Sequence, residues 1–270
     1  HLNCLDARTG ALIWKRHLKY DFGGVIPAWG YTSPPLVYNG EVIVWPGGEK
    51  TAIAALNPAD GSVIWQGGEG DIAGYGMPVP ATILGKRQFA MTVFSGFVGA
   101  EAGTGKVLWR IPWETTDGTN IACPIVIGNS VFVTSSYDMG SALYDITPEG
   151  PKEVWRSKVM RAHMNTPVLY NGLLYGTGDP GYLMCLDPKT GEVRWRESGF
   201  EKGGVVGVDG VLLAVNGSVG DVVMVRLTPQ RYEEMGRFTP LGGQSWSPPI
   251  VAYGKLFIRN KKALACVDLR

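Results

Sequence analysis

A polar turn, mostly of the form Asp-x-x-Thr-Gly, recurs along this 270-residue chain, each time followed by a strand that usually ends in tryptophan. The copies read LDARTGALIW (Leu5 to Trp14), LNPADGSVIW (Leu56 to Trp65), EAGTGKVLW (Glu101 to Trp109), YDITPEGPKEVW (Tyr144 to Trp155) and LDPKTGEVRW (Leu186 to Trp195). A degenerate copy, RLTPQRYEEMGRF, runs from Arg226 to Phe238, and another begins at ACVDLR, Ala265 to Arg270. The copies fall about 40 to 50 residues apart, the period of a four-stranded propeller blade. Repetition decides the architecture, and it marks most of the conspicuous residues as scaffold.

One copy can be read physically. Asp6 or Asp187 is placed to accept hydrogen bonds from amides two or three residues on, while Gly10 or Gly191 supplies the positive-φ position of a tight hairpin. A tryptophan at the same place in successive blades can lie across the seam to its neighbour, burying a large face while its indole N–H finds a carbonyl. Trp14, Trp65, Trp109, Trp155 and Trp195 are therefore expected to be blade-docking residues. With 38 glycines, 18 prolines and no long amphipathic run, the chain is expected to be all-β, one propeller domain over residues 1–270. A formal net charge of +1 gives no electrostatic case for nucleic acid. No apolar stretch approaches the roughly 18 residues of a membrane span.

A whole blade can be laid out from Thr32 to Gln66 as SPPLVYN, GEVIVWP, TAIAALN and SVIWQ, strands A to D. Later A strands start near Pro80, Pro124, Pro167, Val205 and Pro248, where proline fixes φ and removes a donor as the chain enters the blade. Seven repeats are in sight, five complete blades flanked by two partial ones. Only strands C and D are visible before Thr32, so the expectation is a ring truncated at its N-terminal end from a seven- or eight-bladed parent. Any signal peptide would then lie upstream.

Loop lengths make the positional argument for function. The A-to-B turns are minimal (Asn39-Gly40, Gly85-Lys86, Gly128-Asn129, Asn171-Gly172, Asp209-Gly210, Tyr253-Gly254), and the C-to-D turns are short. The B-to-C loops and D-to-A crossovers of the opposite face read as long, variable and aromatic: Lys15 to Tyr31, Gly67 to Met77, Ile111 to Ala122, Ser135 to Ser141, Arg156 to Asn165, and Thr239 to Trp246. Function usually sits on long loops held by a rigid frame, which makes Trp29, Tyr31, Tyr75, Asn120, Tyr137, His163, Asn165 and Trp246 the candidate surface.

Other constellations carry less. Cys4, Cys185 and Cys266 occupy the same repeat position in separate blades and read, with Cys123, as small buried strand residues too far apart to bridge. No Cys-x-x-Cys pair and no His-Glu-x-x-His exists, which argues against a zinc site. Among His1, His17 and His163, the last precedes a strand A and is the best candidate for proton transfer or ligand contact; no nucleophile elbow accompanies it. Asp21, Asp71, Asp117, Asp138 and Asp179 read as solvated loop charge rather than a calcium site. GTGK at Gly103 to Lys106 aligns with the hairpin turns and is a turn, not a nucleotide loop.

The turn-strand-Trp copies resemble the PQQ-like β-propeller repeat, whose docking motif is Ala-x-Asp-x-x-Thr-Gly-Lys-x-x-Trp, across essentially the whole chain. The likeness is to envelope propellers related to the outer-membrane assembly lipoprotein B, and more distantly to quinoprotein alcohol dehydrogenases. It implies a non-catalytic binding or scaffold propeller of the bacterial periplasm or cell envelope, taking a protein, peptide or glycan and no cofactor. The alternative it implies is a dehydrogenase holding pyrroloquinoline quinone with calcium. In that class a vicinal disulfide covers the quinone, and this chain has no adjacent cysteines. A hydrolase or lyase using His163 is the remaining class. All four thiols are expected to be free, so the denatured, unreduced protein should consume four equivalents of thiol reagent; two would break the blade alignment.

Overall fold

The computed structural model describes residues 1–270. Hairpin follows hairpin along the chain, and the helical segments are short: α1 (Leu18–Phe22) and one 3-10 turn at Thr116–Gly118. The first sheet is the hairpin β1 (Leu2–Leu5) and β2 (Leu12–Arg16). A second holds β3 (Leu36–Tyr38), β4 (Glu41–Val44), β5 (Ile53–Leu56) and β6 (Val63–Gly67). A third holds β7 (Val79–Ile83), β8 (Lys86–Val93), β9 (Gly96–Glu101) and β10 (Val107–Pro112). The fourth is β11 (Ile125–Ile127), β12 (Ser130–Ser135), β13 (Gly140–Thr147) and β14 (Gly150–Ser157).

Then come β15 (Val168–Tyr170), β16 (Leu173–Gly178), β17 (Tyr182–Leu186) and β18 (Val193–Ser198). The sixth sheet is β19 (Val205–Val208), β20 (Val211–Val215), β21 (Val222–Arg226) and β22 (Glu234–Phe238). The last is β23 (Ile250–Ala252), β24 (Lys255–Arg259) and β25 (Leu264–Asp268). Every sheet is a meander in chain order, and the five four-stranded ones are the five complete blades read from the sequence; the fold is a β-propeller. The chain divides into two compact units, residues 1–131 with 145–152, and residues 132–144 with 153–270.

Backbone sign fixes the hairpins. Asn39-Gly40, Asn171-Gly172, Asp209-Gly210 and Tyr253-Gly254 place both central residues at positive φ, the twist-matched turn of a two-residue hairpin. In the third sheet the centre is Leu84-Gly85 rather than the expected Gly85-Lys86. Leu84 is held there by its own N–H, which donates to Asn129 Oδ1 at 2.9 Å.

The C-to-D turns work as the sequence suggests. Asp6 Oδ1 accepts from the amides of Arg8 (3.1 Å) and Thr9 (2.8 Å), and Asp187 Oδ1 from Lys189 (3.0 Å). Gly10, Gly61, Gly105 and Gly191 sit between φ 71° and 74°. A register shift follows in each of these hairpins, at Cys4/Leu5, Ala55/Leu56, Val107/Trp109 and Cys185/Leu186. Past the shift, each tryptophan faces a small cross-strand partner: Trp14 opposite Cys4, Trp65 opposite Ala55, Trp109 opposite Gly99 and Trp195 opposite Cys185. Two of the cysteines are thus small residues leaving room for an indole. Cys185 is buried, and burial pushes its thiol up. Cys4 and Cys123 are half-buried and Cys266, paired with Phe257, is exposed, which corrects the expectation that all are buried. No disulfide joins any of the four cysteines.

Three indoles cross to the next repeat as expected. Trp14 Nε1 donates to the Pro58 carbonyl (2.8 Å), Trp155 Nε1 to Pro188 (2.8 Å) and Trp195 Nε1 to Thr228 (2.7 Å). The receiving turn's glycine lies under the ring. A Cβ on Gly61 would stand 2.7 Å from Trp14, and one on Gly191 3.0 Å from Trp155. Trp65 and Trp109 differ, donating within their own sheets to Glu41 Oε2 (3.1 Å) and Gln88 Oε1 (2.6 Å). The repeats after them have other turns: EAGTG opens on Glu101 where the others open on Asp or Asn, and TPEG joins β13 to β14 as a continuous hairpin. Replacing Trp195, buried against Tyr175 and Tyr232, with Ala should cost about 3 to 5 kcal/mol in urea unfolding; no loss would deny the seam its structural role.

Candidate functional site

In the first unit the expected surface residues mostly hold backbone. Asn120 is fully buried, and its Nδ2 donates to the carbonyls of Val93 (3.1 Å), Phe94 (3.3 Å) and Trp113 (3.0 Å). Tyr75 is buried; its hydroxyl accepts from the Trp29 amide (3.3 Å), and its own amide donates to the Asn120 carbonyl (2.9 Å). Tyr31 donates to the Pro46 carbonyl (2.8 Å), and burial raises its pKa. Only Trp29, 71% exposed, offers its side chain to solvent. Asp71, read as solvated, is buried and gripped at both oxygens by Arg110, at 2.6 and 2.8 Å, because the crossover folds it under that guanidinium.

The second unit gathers Tyr137, His163, Asn165 and Trp246 with residues the sequence did not single out. Ser135 to Ser141 is not a long loop. β12 ends at Ser135 and β13 resumes at Gly140, and Tyr137 and Asp138 take the turn at φ 57° and 62°. Both side chains are tied from the next crossover: Arg161 Nη1 pairs with Asp138 Oδ1 at 2.7 Å, and His163 Nε2 meets Tyr137 Oη at 3.1 Å. Asn165 is buried, donating to Thr177 Oγ1 (2.7 Å), which donates to the Gly203 carbonyl (2.6 Å). Asn165 thus lies inside the unit, its amide nitrogen held by Thr177. Tyr137 remains 40% exposed above this frame.

Asp179 is the hub. Its Oδ2 accepts from the Ser136 hydroxyl and faces His163 Nδ1 at 3.5 Å, ion-pair distance without the alignment of a hydrogen bond. His163 and Ser136 favour the charged form and hold the carboxyl below its ordinary value against partial burial; the Lys202 charge adds to this. The Lys202 ammonium also lies 5.0 Å from the Trp246 ring centre, with that of Lys261 at 5.9 Å. Trp246 lines an open cleft with Gln244, Ser247, Arg259, Asn260 and Lys261. The arrangement thus runs from an exposed phenol through an imidazole and a carboxylate to a cation-flanked indole. Ser136, Lys202 and Lys261 lie in short turns and crossovers with no motif, and a pass along the chain could not bring them together.

A family described as Outer membrane protein assembly factor BamB matches residues 1–197. Among solved structures, BamB from Moraxella catarrhalis superposes with a TM-score of 0.69 at 19% identity, covering 97% of this chain and 77% of that one. Quinohemoprotein alcohol dehydrogenase from Comamonas testosteroni gives 0.57 at 13% identity, over 85% of this chain and 51% of that one. A curated relative, tetrathionate hydrolase of Acidithiobacillus ferrooxidans, is 24% identical over 209 residues; the match spans 70% of this chain and 40% of that protein. The residues present do not fit a quinone held with calcium. No three His, Cys, Asp or Glu side chains converge, and Asp71 and Asp179 are committed to Arg110 and to Ser136 with His163.

The Asp179 contacts fix a pH dependence. A carboxyl depressed on folding stabilises the protein above its unfolded value, near 3.8, and loses that contribution as pH falls through the lower folded one. Asp179→Asn should be less stable than the parent at about pH 7, and urea titrations should show the gap closing below about pH 4. A gap constant down to about pH 2 would remove the charged carboxylate from the frame.

Proposed function

The chain belongs to the family described as Outer membrane protein assembly factor BamB, and on that premise we propose that it is a non-catalytic binding propeller of the bacterial cell envelope. It takes a protein or peptide partner through the surface formed by Tyr137 and Trp246, with His163 buried behind Tyr137. The observation that carries this reading is that the five repeat tryptophans each spend the indole N–H on the protein, whereas half-buried Trp246, with two ammonium groups 5.0 and 5.9 Å from its ring centre, spends its own on none. Aromatic residues give large contact area with few rotamers to freeze, and here a buried polar frame holds them in place.

The alternative, a quinone-dependent oxidoreductase, draws on the fold shared with the quinohemoprotein dehydrogenase and lacks a donor set for the metal. Dye reduction by the protein supplied with quinone and calcium would replace the binding reading. For binding, the partner captured by cross-linking from an envelope extract is titrated against variants. Tyr137→Ala and Trp246→Ala should each weaken it by about 1 to 3 kcal/mol, while Asn171→Gly in a tight turn of the same unit should leave it unchanged. Equal loss from all three would show that the surface is elsewhere.

A further inference from the structure

The cleft beside Trp246 presents donors in excess. Lys202, Lys261 and Arg259 bring three positive charges, and none of them is ion-paired. The Gln244 amide, the Ser247 hydroxyl and the Trp246 N–H add donors that no protein acceptor takes up. Asn260 is the exception: its Nδ2 donates to the Gly242 carbonyl (3.0 Å) and its Oδ1 accepts from Lys262 and Ala263 (both 2.8 Å), which fixes the turn carrying Lys261. The Lys202 charge also reaches Asp179, whose Oδ2 is taken by the Ser136 hydroxyl and faces His163.

The second cleft of the same unit makes the contrast. There Arg237 grips both oxygens of Glu234 at 2.8 Å and Tyr232 donates to Glu234 at 2.8 Å, holding that carboxyl down to about 2. Arg237, Glu234 and Tyr232 satisfy one another there, and the cations of the Trp246 cleft have no such acid. A chain with 25 basic and 24 acidic residues has no general excess of positive charge, so two cations lining one cleft, with a third over the ring of its indole, are a local feature.

We infer that the Trp246 cleft binds an acidic peptide segment, with Lys202, Lys261 and Arg259 taking side-chain carboxylates and the indole face covering an apolar or aromatic residue between them. This deepens the partner-binding reading above and rests on it. Donors distributed around a ring suit separate single charges on an extended chain better than one compact dianion, and electrostatic complementarity of this kind sets specificity and on-rate.

The test uses the full chain and fluorescently labelled dodecapeptides alternating Glu with Phe, a Gln-for-Glu version, and inorganic phosphate as competitor. The Glu peptide should bind at least about tenfold more tightly than the Gln version, with an affinity that falls on raising salt. Lys202→Gln and Lys261→Gln should each weaken binding and together cost about tenfold, while Lys189→Gln, a loss of one charge in the turn between β17 and β18, should cost nothing. Equal binding of the two peptides, equal loss from Lys189→Gln, or displacement of the peptide by millimolar phosphate would overturn the acidic-peptide assignment. If Tyr137→Ala and Trp246→Ala weaken the captured partner while the lysine variants do not, the inference fails and the binding surface stands. If none of them does, both fail.

Discussion

An indole carries a large apolar face and one N–H, and burying the face obliges the N–H to find an oxygen. In this chain that obligation ties one repeat to the next. Trp14, Trp155 and Trp195 each reach a carbonyl in the following C-to-D turn, and the rings of Trp14 and Trp155 lie on the turn glycine. The glycine is doubly constrained, by a positive φ that L side chains rarely adopt and by an indole where a Cβ would stand. Cys4 opposite Trp14 and Cys185 opposite Trp195 belong to the same device, since each leaves space for the ring before it leaves the sheet.

Where the next turn departs from the pattern, the indole turns inward. Trp65 takes Glu41 and Trp109 takes Gln88, and Gly99 opposite Trp109 has no room for a Cβ because the ring occupies it. The five repeat tryptophans all meet the hydrogen-bond requirement, and the partner is whatever the local geometry supplies. The same economy appears at Asp71 and Asp179, loop carboxylates drawn in by Arg110 and by Ser136 with His163.

The blades were legible because their signals are local: hairpin dipeptides, turn aspartates and period-two strands sit within a few residues of one another. The one misplaced hairpin, at Leu84-Gly85, depends on Asn129, 45 residues away. The site was half legible for the same reason. Tyr137, His163 and Trp246 stood out as aromatic or ionisable residues outside the turn pattern, whereas the burial of Tyr75, Asn120 and Asn165 was not legible, because a polar side chain in a crossover can face the protein interior as easily as solvent. Lys202 and Lys261 carry no periodicity, and only the fold sets both beside one ring.

A joint that reads a carbonyl makes few demands on side-chain identity, since every residue type offers the same oxygen. Pro58, Pro188 and Thr228 serve alike. Drift in the turn sequence is therefore tolerated so long as the backbone path is kept. The repeats of such a chain can diverge until little more than an aspartate, a glycine and a tryptophan betrays their common origin, while the loops between them remain free to acquire unrelated chemistries.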